Sequence, residues 1–341
     1  MSTTVTPQLE PEVLRSRIER FRKVQSEIVT QVRRVIVGQE EVLEQVMIAL
    51  FVGGHCLITG LPGTAKTLLV RTLAQTLGLV FKRIQFTPDL MPSDITGTDI
   101  IEEDPGTGHR TWTFVEGPIF GNILLADEIN RTPPKTQSAL LEAMQERACT
   151  VRGHNYTLPN PFFVLATQNP IELEGTYPLP EAQLDRFLFN TVLDYLTADE
   201  EMQVIDLTTV TTIAHADPVT NAGEILDFQQ LVRMVPIGES VARHAIDLVR
   251  CTRSRDETAP DFVQKYVNYG ASVRAAQFLV LAAKARALMK GRYHVTYEDV
   301  RSLYIAVLRH RILLNFHAES DRLKQDDILK RVLEWKAAPR D

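Results

Sequence analysis

Short apolar runs alternate with amphipathic segments along the middle of the chain. Five of these runs are rich in β-branched and apolar residues, and they lie at 56–59, 81–86, 122–127, 162–167 and 187–193. After the first run, Leu69, Leu73 and Leu77 recur at helical spacing and form one apolar face. Strands that alternate with helices predict a parallel α/β sheet with helices packed on its faces.

The pattern changes on both sides of this region. Residues from about Glu12 to Val35 have helical periodicity and many charges, which predicts a solvated helix leading into the core. After residue 222 the pattern is all helical, with one helix from Ala275 to Lys290 and another from a Thr296 cap through Leu313. We therefore predict an N-terminal helix, an α/β core, a connecting segment that begins with a helix, and an all-helical domain, at 1–35, 36–196, 197–222 and 223–341.

Composition and charge exclude several classes of protein. The chain is 44% hydrophobic, which is enough to bury a full-sized core, and 37 basic against 43 acidic residues leave a net charge of -6. This balance is not that of a general nucleic-acid binder. Three widely separated cysteines predict neither a disulfide framework nor a zinc site, and they suit a reducing cytoplasm.

Targeting signals are also missing from the sequence. The first twenty residues are polar and charged, without the apolar stretch of a signal peptide. The longest apolar run, at 46–58, is interrupted by glycine and histidine and is shorter than the roughly 20 residues that span a bilayer. We expect a cytoplasmic protein with no membrane helix.

The sequence GLPGTAKT at 60–67 lies between the first predicted strand and the first predicted core helix. In that setting a glycine-rich loop presents backbone N–H groups and the positive end of a helix dipole to phosphate. Lys66 would reach the β- and γ-phosphates of ATP, and Thr67 would ligate Mg²⁺. The expected nucleotide-binding residues are Gly60, Pro62, Gly63, Thr64, Ala65, Lys66, Thr67 and Leu68. The alternative is a strand-to-helix turn that holds no ligand.

Polar residues follow two later strands of the predicted sheet. Asp127 and Glu128 end an apolar strand, and Asn169 follows the next one. Because ligands bind at the carboxyl edge of an open parallel sheet, Asp127 would hold Mg²⁺ through water and Glu128 would polarise the attacking water. Asn169 would sense the γ-phosphate or that water. A carboxylate pair at a strand end is alternatively a helix cap or solvated charge, and Asn169 also suits a turn before Pro170.

Two arginines are candidates for contacts with a transferring phosphoryl group. Arg186 in LPEAQLDRF precedes the last predicted core strand, and its planar guanidinium matches phosphate geometry. Arg274 in GASVR begins a helix of the second domain, from which it would reach the nucleotide from above. The alternatives are a surface ion pair between Arg186 and Asp185, and surface contacts alone for Arg274.

In this order, GLPGTAKT, ILLADEINR, ATQNP, LPEAQLDRF and GASVR resemble the MoxR branch of the AAA+ ATPases, from about Ile36 to the C-terminus. Ala65 stands where most phosphate-binding loops have glycine, so its φ angle is negative or strained, but alanine is usual in this branch. The resemblance implies a five-stranded sheet in the order 5-1-4-3-2, a helical lid and Mg²⁺·ATP at subunit interfaces. It also implies that Arg186 acts on the neighbouring subunit's nucleotide, and that Val37, Gly38 and Gln39 in VGQEEV are candidates for contacts near adenine, with Val37 and Gly38 favoured.

Two hairpins are predicted within the core. Residues 95–119 fit the element that this family inserts in its second core helix, with GTG at 106–108 as the turn, and residues 149–158 fit a second hairpin. In a ring both would face the axial surface. The alternative is that they are ordinary hairpins in solvent.

Together these features predict a ring-forming, hexameric ATPase that resembles MoxR chaperones. The resemblance implies a protein client, often with a von Willebrand factor A domain partner, and maturation, activation or metal insertion as the outcome. The alternatives are a metal-insertion motor like magnesium chelatase and a nucleotide-dependent scaffold that hydrolyses little. Glu128 argues against the scaffold, because a binding module needs no water-polarising carboxylate, and the acidic balance disfavours a nucleic-acid motor.

Overall fold

The computed structural model describes residues 11–103, 109–169, 175–209 and 215–337. The predicted turn at 106–108 and Pro170 lie outside these ranges. The helices are α1 Pro11–Arg33, α2 Glu40–Val52, α3 Lys66–Thr76, α4 Pro92–Thr96, α5 Pro134–Glu146, α6 Glu181–Leu184, α7 Ala198–Thr208, α8 Ala222–Met234, α9 Glu239–Arg250, α10 Asp261–Tyr266, α11 Val273–Met289, α12 Tyr297–Leu308, α13 Phe316–Ser320 and α14 Gln325–Trp335. The strands are β1 Cys56–Gly60, β2 Phe81–Gln85, β3 Gly97–Glu103, β4 Arg110–Glu116, β5 Ile123–Asp127, β6 Ala148–Val151, β7 His154–Thr157, β8 Phe163–Gln168, β9 Phe189–Leu193, β10 Val267–Tyr269 and β11 Leu313–Leu314.

Five of these strands form one parallel sheet in the order β2-β5-β8-β1-β9. Counted along the chain as core strands, this is the order 5-1-4-3-2, so the predicted fold is confirmed. The register pairs Gln85 with Asp127 and Thr59 with Gln168. The carboxyl ends of β1, β2, β5 and β8 therefore meet at one edge of the sheet.

Two hydrophobic clusters cover the two faces of the sheet. Successive residues of β5 alternate between them, since Ile123 and Leu125 belong to the first and Leu124 and Ala126 to the second. The second cluster includes one face of α5. The first is larger and continues from α1, α2 and α3 into the helices α8, α9, α11 and α12. The lid therefore packs into the same core as one face of the sheet.

Helix α1 was predicted to be solvated, and the structure corrects this. Phe21, Val24, Ile28 and Val32 recur at helical spacing and are fully buried in the first cluster. Near the N-terminal end of the same face, Arg17 and Arg20 form ion pairs with Asp227 and Glu224 of α8. The charges that suggested a solvated helix thus flank a stripe that joins the core to the lid.

Two details of the second domain also differ from the prediction. It is not entirely helical, because β10 and β11 pair antiparallel. The chain also leaves α12 after Leu308, before the predicted end at Leu313.

Both predicted hairpins form, and they contact each other. β3 pairs antiparallel with β4, and β6 pairs with β7 through a turn in which Arg152 and Gly153 have positive φ. The Arg152 guanidinium lies over the Trp112 ring at 4.4 Å, and Phe114 stacks on Tyr156 at 4.1 Å. Within the described ranges, no helix is long and apolar enough to cross a bilayer. The domain boundaries and the pore-facing role of the hairpins stay predictions.

Replacing Phe21 with alanine is expected to lower the free energy of unfolding by about 3–5 kcal/mol, the usual cost of deleting a buried phenyl ring. The ring lies 4.8 Å from Phe51 and 5.1 Å from Phe228 between centroids, so its loss opens a cavity where α1, α2 and α8 meet. Urea unfolding followed by circular dichroism measures the change. Val13→Ala is the matched control, since Val13 lies on the same helix with 45% of its surface exposed. A loss equal to that of the control would contradict the proposed packing role.

Candidate active site

The loop at 60–67 joins β1 to α3 and leaves its inner surface open. Gly63 has a φ of +80°, and a Cβ placed on it would meet nothing within 4 Å. Ala65 has a φ of 58° and a ψ of 23°, so the backbone accepts strain at the position that most such loops give to glycine. This left-handed conformation costs an L-residue about 1–2 kcal/mol. This conformation of Ala65 directs the chain from the loop into the first turn of α3.

Lys66 lies folded against this loop. Its Nζ atom donates to the carbonyls of Gly60 at 2.8 Å and Leu61 at 2.7 Å. Burial lowers the pKa of Lys66, while the nearby charges of Asp127 and Glu128 oppose this shift. The ammonium group is thus held next to the loop by neutral acceptors, for which phosphate oxygens are stronger replacements.

Asp127 and Glu128 end β5 and are fixed by neighbouring strands. The Thr167 hydroxyl donates to Asp127 Oδ1 at 2.6 Å, and the Glu128 backbone N–H donates to the same hydroxyl at 2.9 Å. Gln85 Nε2 donates to Glu128 Oε2 at 2.7 Å, and Arg131 pairs with the same oxygen at 3.2 Å. Glu128 has a φ of 58°, which turns its side chain away from the strand direction.

A cavity of about 430 Å³ lies between the loop and the ends of β5 and β8. Its lining consists of Pro62, Gly63, Thr64, Ala65, Lys66, Thr67, Leu68, Asp127, Glu128, Thr167, Gln168 and Asn169. The structure therefore brings the predicted phosphate, metal, base and sensor residues to one cleft. Gly60 is not among the lining residues, since it packs against Leu193.

A second cavity of about 390 Å³ shares Gly63, Thr64, Ala65 and Leu68 with the first. Val37 and Gln39 line it, whereas Gly38 does not and packs against Glu200 and Leu196. The remaining lining is mostly apolar and comes from Val35, Ile36, Leu69, Leu193, Asp194, Tyr195, Leu196, Glu201, Val204, Ile205, Leu207 and Thr208. The sequence did not predict that residues 193–208 help to line this cavity, because nothing in their pattern of apolar and polar residues relates them to residues 35–39.

The two predicted arginines do not line either cavity. Arg186 donates from Nη1 to the Leu141 carbonyl at 2.5 Å. Arg274 Nη1 lies 3.3 Å from Asp185 Oδ2, and the buried Arg311 pairs with the other oxygen at 2.8 Å. Asp185, the residue before Arg186 in the chain, thus contacts Arg274 and Arg311 of the second domain. Because Asp185 pairs with Arg274 and Arg311 and not with Arg186, the surface pair considered for Asp185 and Arg186 is not observed.

The residues at the cleft fit Mg²⁺·ATP. The polar cavity offers loop N–H groups and an ammonium to phosphates, and the adjoining apolar cavity suits a nucleobase. For the metal, the Thr67 hydroxyl and the Asp127 carboxylate are the oxygen ligands that Mg²⁺ prefers. Within the described ranges, no group of three or more His, Cys, Asp or Glu residues could hold a metal alone. Phosphate oxygens and water would complete the metal's shell.

Three further residues of the cleft were not found from the sequence. Thr167 links the Asp127 carboxylate to the backbone N–H of Glu128, Gln85 holds the Glu128 carboxylate, and Arg83 forms an ion pair with Asp127 at 2.7 Å. The sequence marks these residues only weakly, because polar residues in a strand are usually solvated. Their role could have been recognised only by placing β2 and β8 on either side of β5.

Comparisons with known proteins agree with this architecture. The profile of the "ATPase family associated with various cellular activities (AAA)" matches residues 55–189, and that of the AAA lid domain matches residues 261–332. Chaperone MoxR1 of Mycobacterium tuberculosis is 42% identical over 91% of this chain and 81% of its own length. Protein MoxR of Methylorubrum extorquens is 29% identical over 91% of this chain and 93% of its own. The crystal structure of a Cytophaga hutchinsonii protein, to which ATPase activity is ascribed, has 40% identity and a TM-score of 0.89 over 97% of this chain and 99% of that one.

Proposed function

The chain belongs to the MoxR family of AAA ATPases, and from this membership we propose that it hydrolyses Mg²⁺·ATP as a ring of identical subunits to remodel protein partners. The observation that carries the proposal is the single cleft lined by Lys66, Thr67, Asp127, Glu128 and Asn169. Each of these residue types suits a separate task in phosphoryl transfer to water. No part of the cleft has to rearrange over a long distance to assemble them.

We assign the tasks from the contacts. Lys66 would exchange its loop carbonyls for β- and γ-phosphate oxygens, and Thr67 and Asp127 would hold Mg²⁺, whose charge would offset that of the phosphates. Glu128 accepts a proton from the attacking water or orients it. Asn169 donates from its amide to the γ-phosphate or to that water. Val37 and the apolar residues of 193–208 enclose the base.

The arginines suggest that catalysis needs a second subunit. Arg274 pairs with Asp185, the residue before Arg186, and neither arginine lines its own cleft. We infer that both reach the nucleotide of a neighbouring subunit, where their guanidinium groups stabilise charge in the transition state. Arg274 would then link the lid of one subunit to the phosphate state of the next, rather than act from above its own site.

The task that ATP hydrolysis drives is proposed from the family to which the chain belongs. We propose that the ring, a hexamer, acts on a protein client together with a von Willebrand factor A domain partner, and that the result is maturation or activation, including insertion of a metal or cofactor. The paired hairpins supply an exposed surface for such contacts, with Trp112 61% exposed beside Arg152.

Phosphate release from ATP is expected to require Mg²⁺, and its rate per subunit is expected to rise with protein concentration. The reason is that a lone subunit lacks the arginines of its neighbour. Steady-state phosphate release and sedimentation velocity, measured over the same concentrations, test this expectation. EDTA should abolish the activity, and added DNA should leave it unchanged. A rate per subunit that is constant while rings assemble would contradict the shared site, and a negligible rate at all concentrations would favour the scaffold.

A further inference from the structure

Arg83 lies beside the metal carboxylate and has no task in the chemistry proposed above. It stands on β2, the strand next to β5, two residues before Gln85 and therefore on the same face of the sheet. Its Nη2 and Nε atoms donate to Asp127 Oδ2 at 2.7 and 3.2 Å. Asp127 is 7% exposed, while the Arg83 side chain is 44% exposed. A solvent-accessible cation thus covers one oxygen of a nearly buried carboxylate.

The same guanidinium is connected to the second carboxylate. Arg83 Nη2 also donates to Gln85 Oε1 at 2.6 Å, and the amide nitrogen of Gln85 donates to Glu128 Oε2 at 2.7 Å. The contact from Arg83 fixes which end of the Gln85 amide faces Glu128. One residue therefore orients both the metal carboxylate and the water-polarising carboxylate.

Three cations lie near the carboxylates of Asp127 and Glu128, and each has different contacts. Lys66 is close enough for Asp127 and Glu128 to affect its pKa, but its proposed task is at the phosphates. Arg131 pairs with Glu128. Arg83 is bonded directly to Asp127. A Mg²⁺ ion near this carboxylate would meet a positive charge that is already bound to it.

We propose that Arg83 is a positioning residue of the nucleotide site: it balances the charge of Asp127 before the metal arrives, weakens Mg²⁺ binding, and through Gln85 holds Glu128 in place. The proposal rests on the function proposed above. A resident cation keeps a nearly buried carboxylate paired while the site is empty, since an unpaired buried charge is costly. The consequence is a metal that binds less tightly and leaves more readily with the product.

The charge of Arg83 and the geometry of its contacts can be tested separately, because the charge should affect Mg²⁺ binding and the contacts should affect kcat. Removing this unit charge should lower the half-saturating Mg²⁺ concentration by about tenfold or more, since Coulomb's law gives about tenfold for a divalent ion about 6 Å away at the dielectric constant of water and a larger factor at a protein surface. Arg83→Met removes the charge and keeps the length of the side chain. Arg83→Lys keeps the charge but not the planar donors that contact Asp127 and Gln85 together.

The experiment is a Mg²⁺ titration of the whole protein with a fluorescent, non-hydrolysable ATP analogue, alongside steady-state kinetics. Arg83→Met should need less Mg²⁺ for half-saturation and should have a lower kcat. Arg83→Lys should keep the wild-type Mg²⁺ requirement and still lose kcat, with KM for ATP close to wild type in both. Lys82→Met is the matched control, because Lys82 is an exposed cation on the same strand with its side chain on the other face.

An unchanged or increased Mg²⁺ requirement in Arg83→Met, with a wild-type melting temperature, would overturn the proposal, because a merely structural ion pair predicts that result. If Arg83→Met does not fold, Arg83→Gln tests the same loss of charge with a polar side chain. Failure of the proposed function itself looks different. In that case the wild-type protein would show no Mg²⁺-dependent binding of the analogue at all.

Discussion

Glu128→Gln is expected to bind ATP with an affinity near that of the wild type and to hydrolyse it about 10² to 10⁴ times more slowly, the usual contribution of a positioned general base. The substitution removes the acceptor charge but keeps the size of the side chain. Lys66, Thr67 and Asp127 are unchanged, so the phosphates and the metal keep their ligands. The glutamine amide also keeps an oxygen to accept from Gln85.

Isothermal titration calorimetry measures the affinity for nucleotide, and single-turnover phosphate release measures the rate of hydrolysis. Glu142→Gln is the control, since it makes the same chemical change on the exposed face of α5. Equal turnover in wild type and Glu128→Gln would remove the catalytic role. If both rates were negligible, the protein would bind ATP only to set its conformation. A Glu128→Gln protein held in the ATP state is also the best bait for isolating the client.

Arg186→Ala is expected to retain ATP binding and ring assembly and to lose about 10³ to 10⁵ in kcat, as when an arginine finger is removed. Arg186 donates to a backbone carbonyl of its own subunit and does not line its own cleft. The loss should therefore appear in the chemical step and not in the affinity for nucleotide. Arg243→Ala, which removes an exposed arginine from α9, is the control.

Mixing two inactive variants tests whether this arginine acts between subunits. In a ring of Arg186→Ala and Glu128→Gln subunits, some sites combine the intact Glu128 of one subunit with the intact Arg186 of its neighbour. Activity should then return after subunits exchange, although each variant alone is inactive. If Arg186 served its own subunit, no mixed ring would contain a complete site. Absence of recovery in rings shown to be mixed would thus contradict the shared site.

Local sequence patterns were sufficient to predict most of the residues that line the cleft proposed for phosphate and metal. The loop at 60–67 and the carboxylates at 127 and 128 follow apolar strands, and such strands are parallel when helices alternate with them. The ends of parallel strands meet at one edge, so Lys66, Asp127 and Asn169 could be expected in one cleft before any coordinates. The family resemblance added the strand order, which the apolar pattern alone does not contain.

Residues whose importance comes from their neighbours were not predictable in this way. Arg83 and Gln85 look like ordinary polar positions of a strand, and they matter because β2 lies next to β5. Thr167 matters because β8 lies on the other side of β5. The apolar wall of the second cavity comes from 193–208, far along the chain from Val37. Similarly, α1 seemed solvated because its charges outnumber its buried residues.

By itself, then, the sequence determined which side chains carry charge and are available for the proposed chemistry, and at which strand ends they stand, because local periodicity and loop composition act over a few residues. Only the tertiary structure decided that Arg274 is tied to Asp185 beside Arg186, that α1 joins core and lid, and that Arg83 covers Asp127. These contacts join residues far apart in the chain. They depend on which strands and helices become neighbours, and the packing of two hydrophobic clusters against the sheet sets that choice.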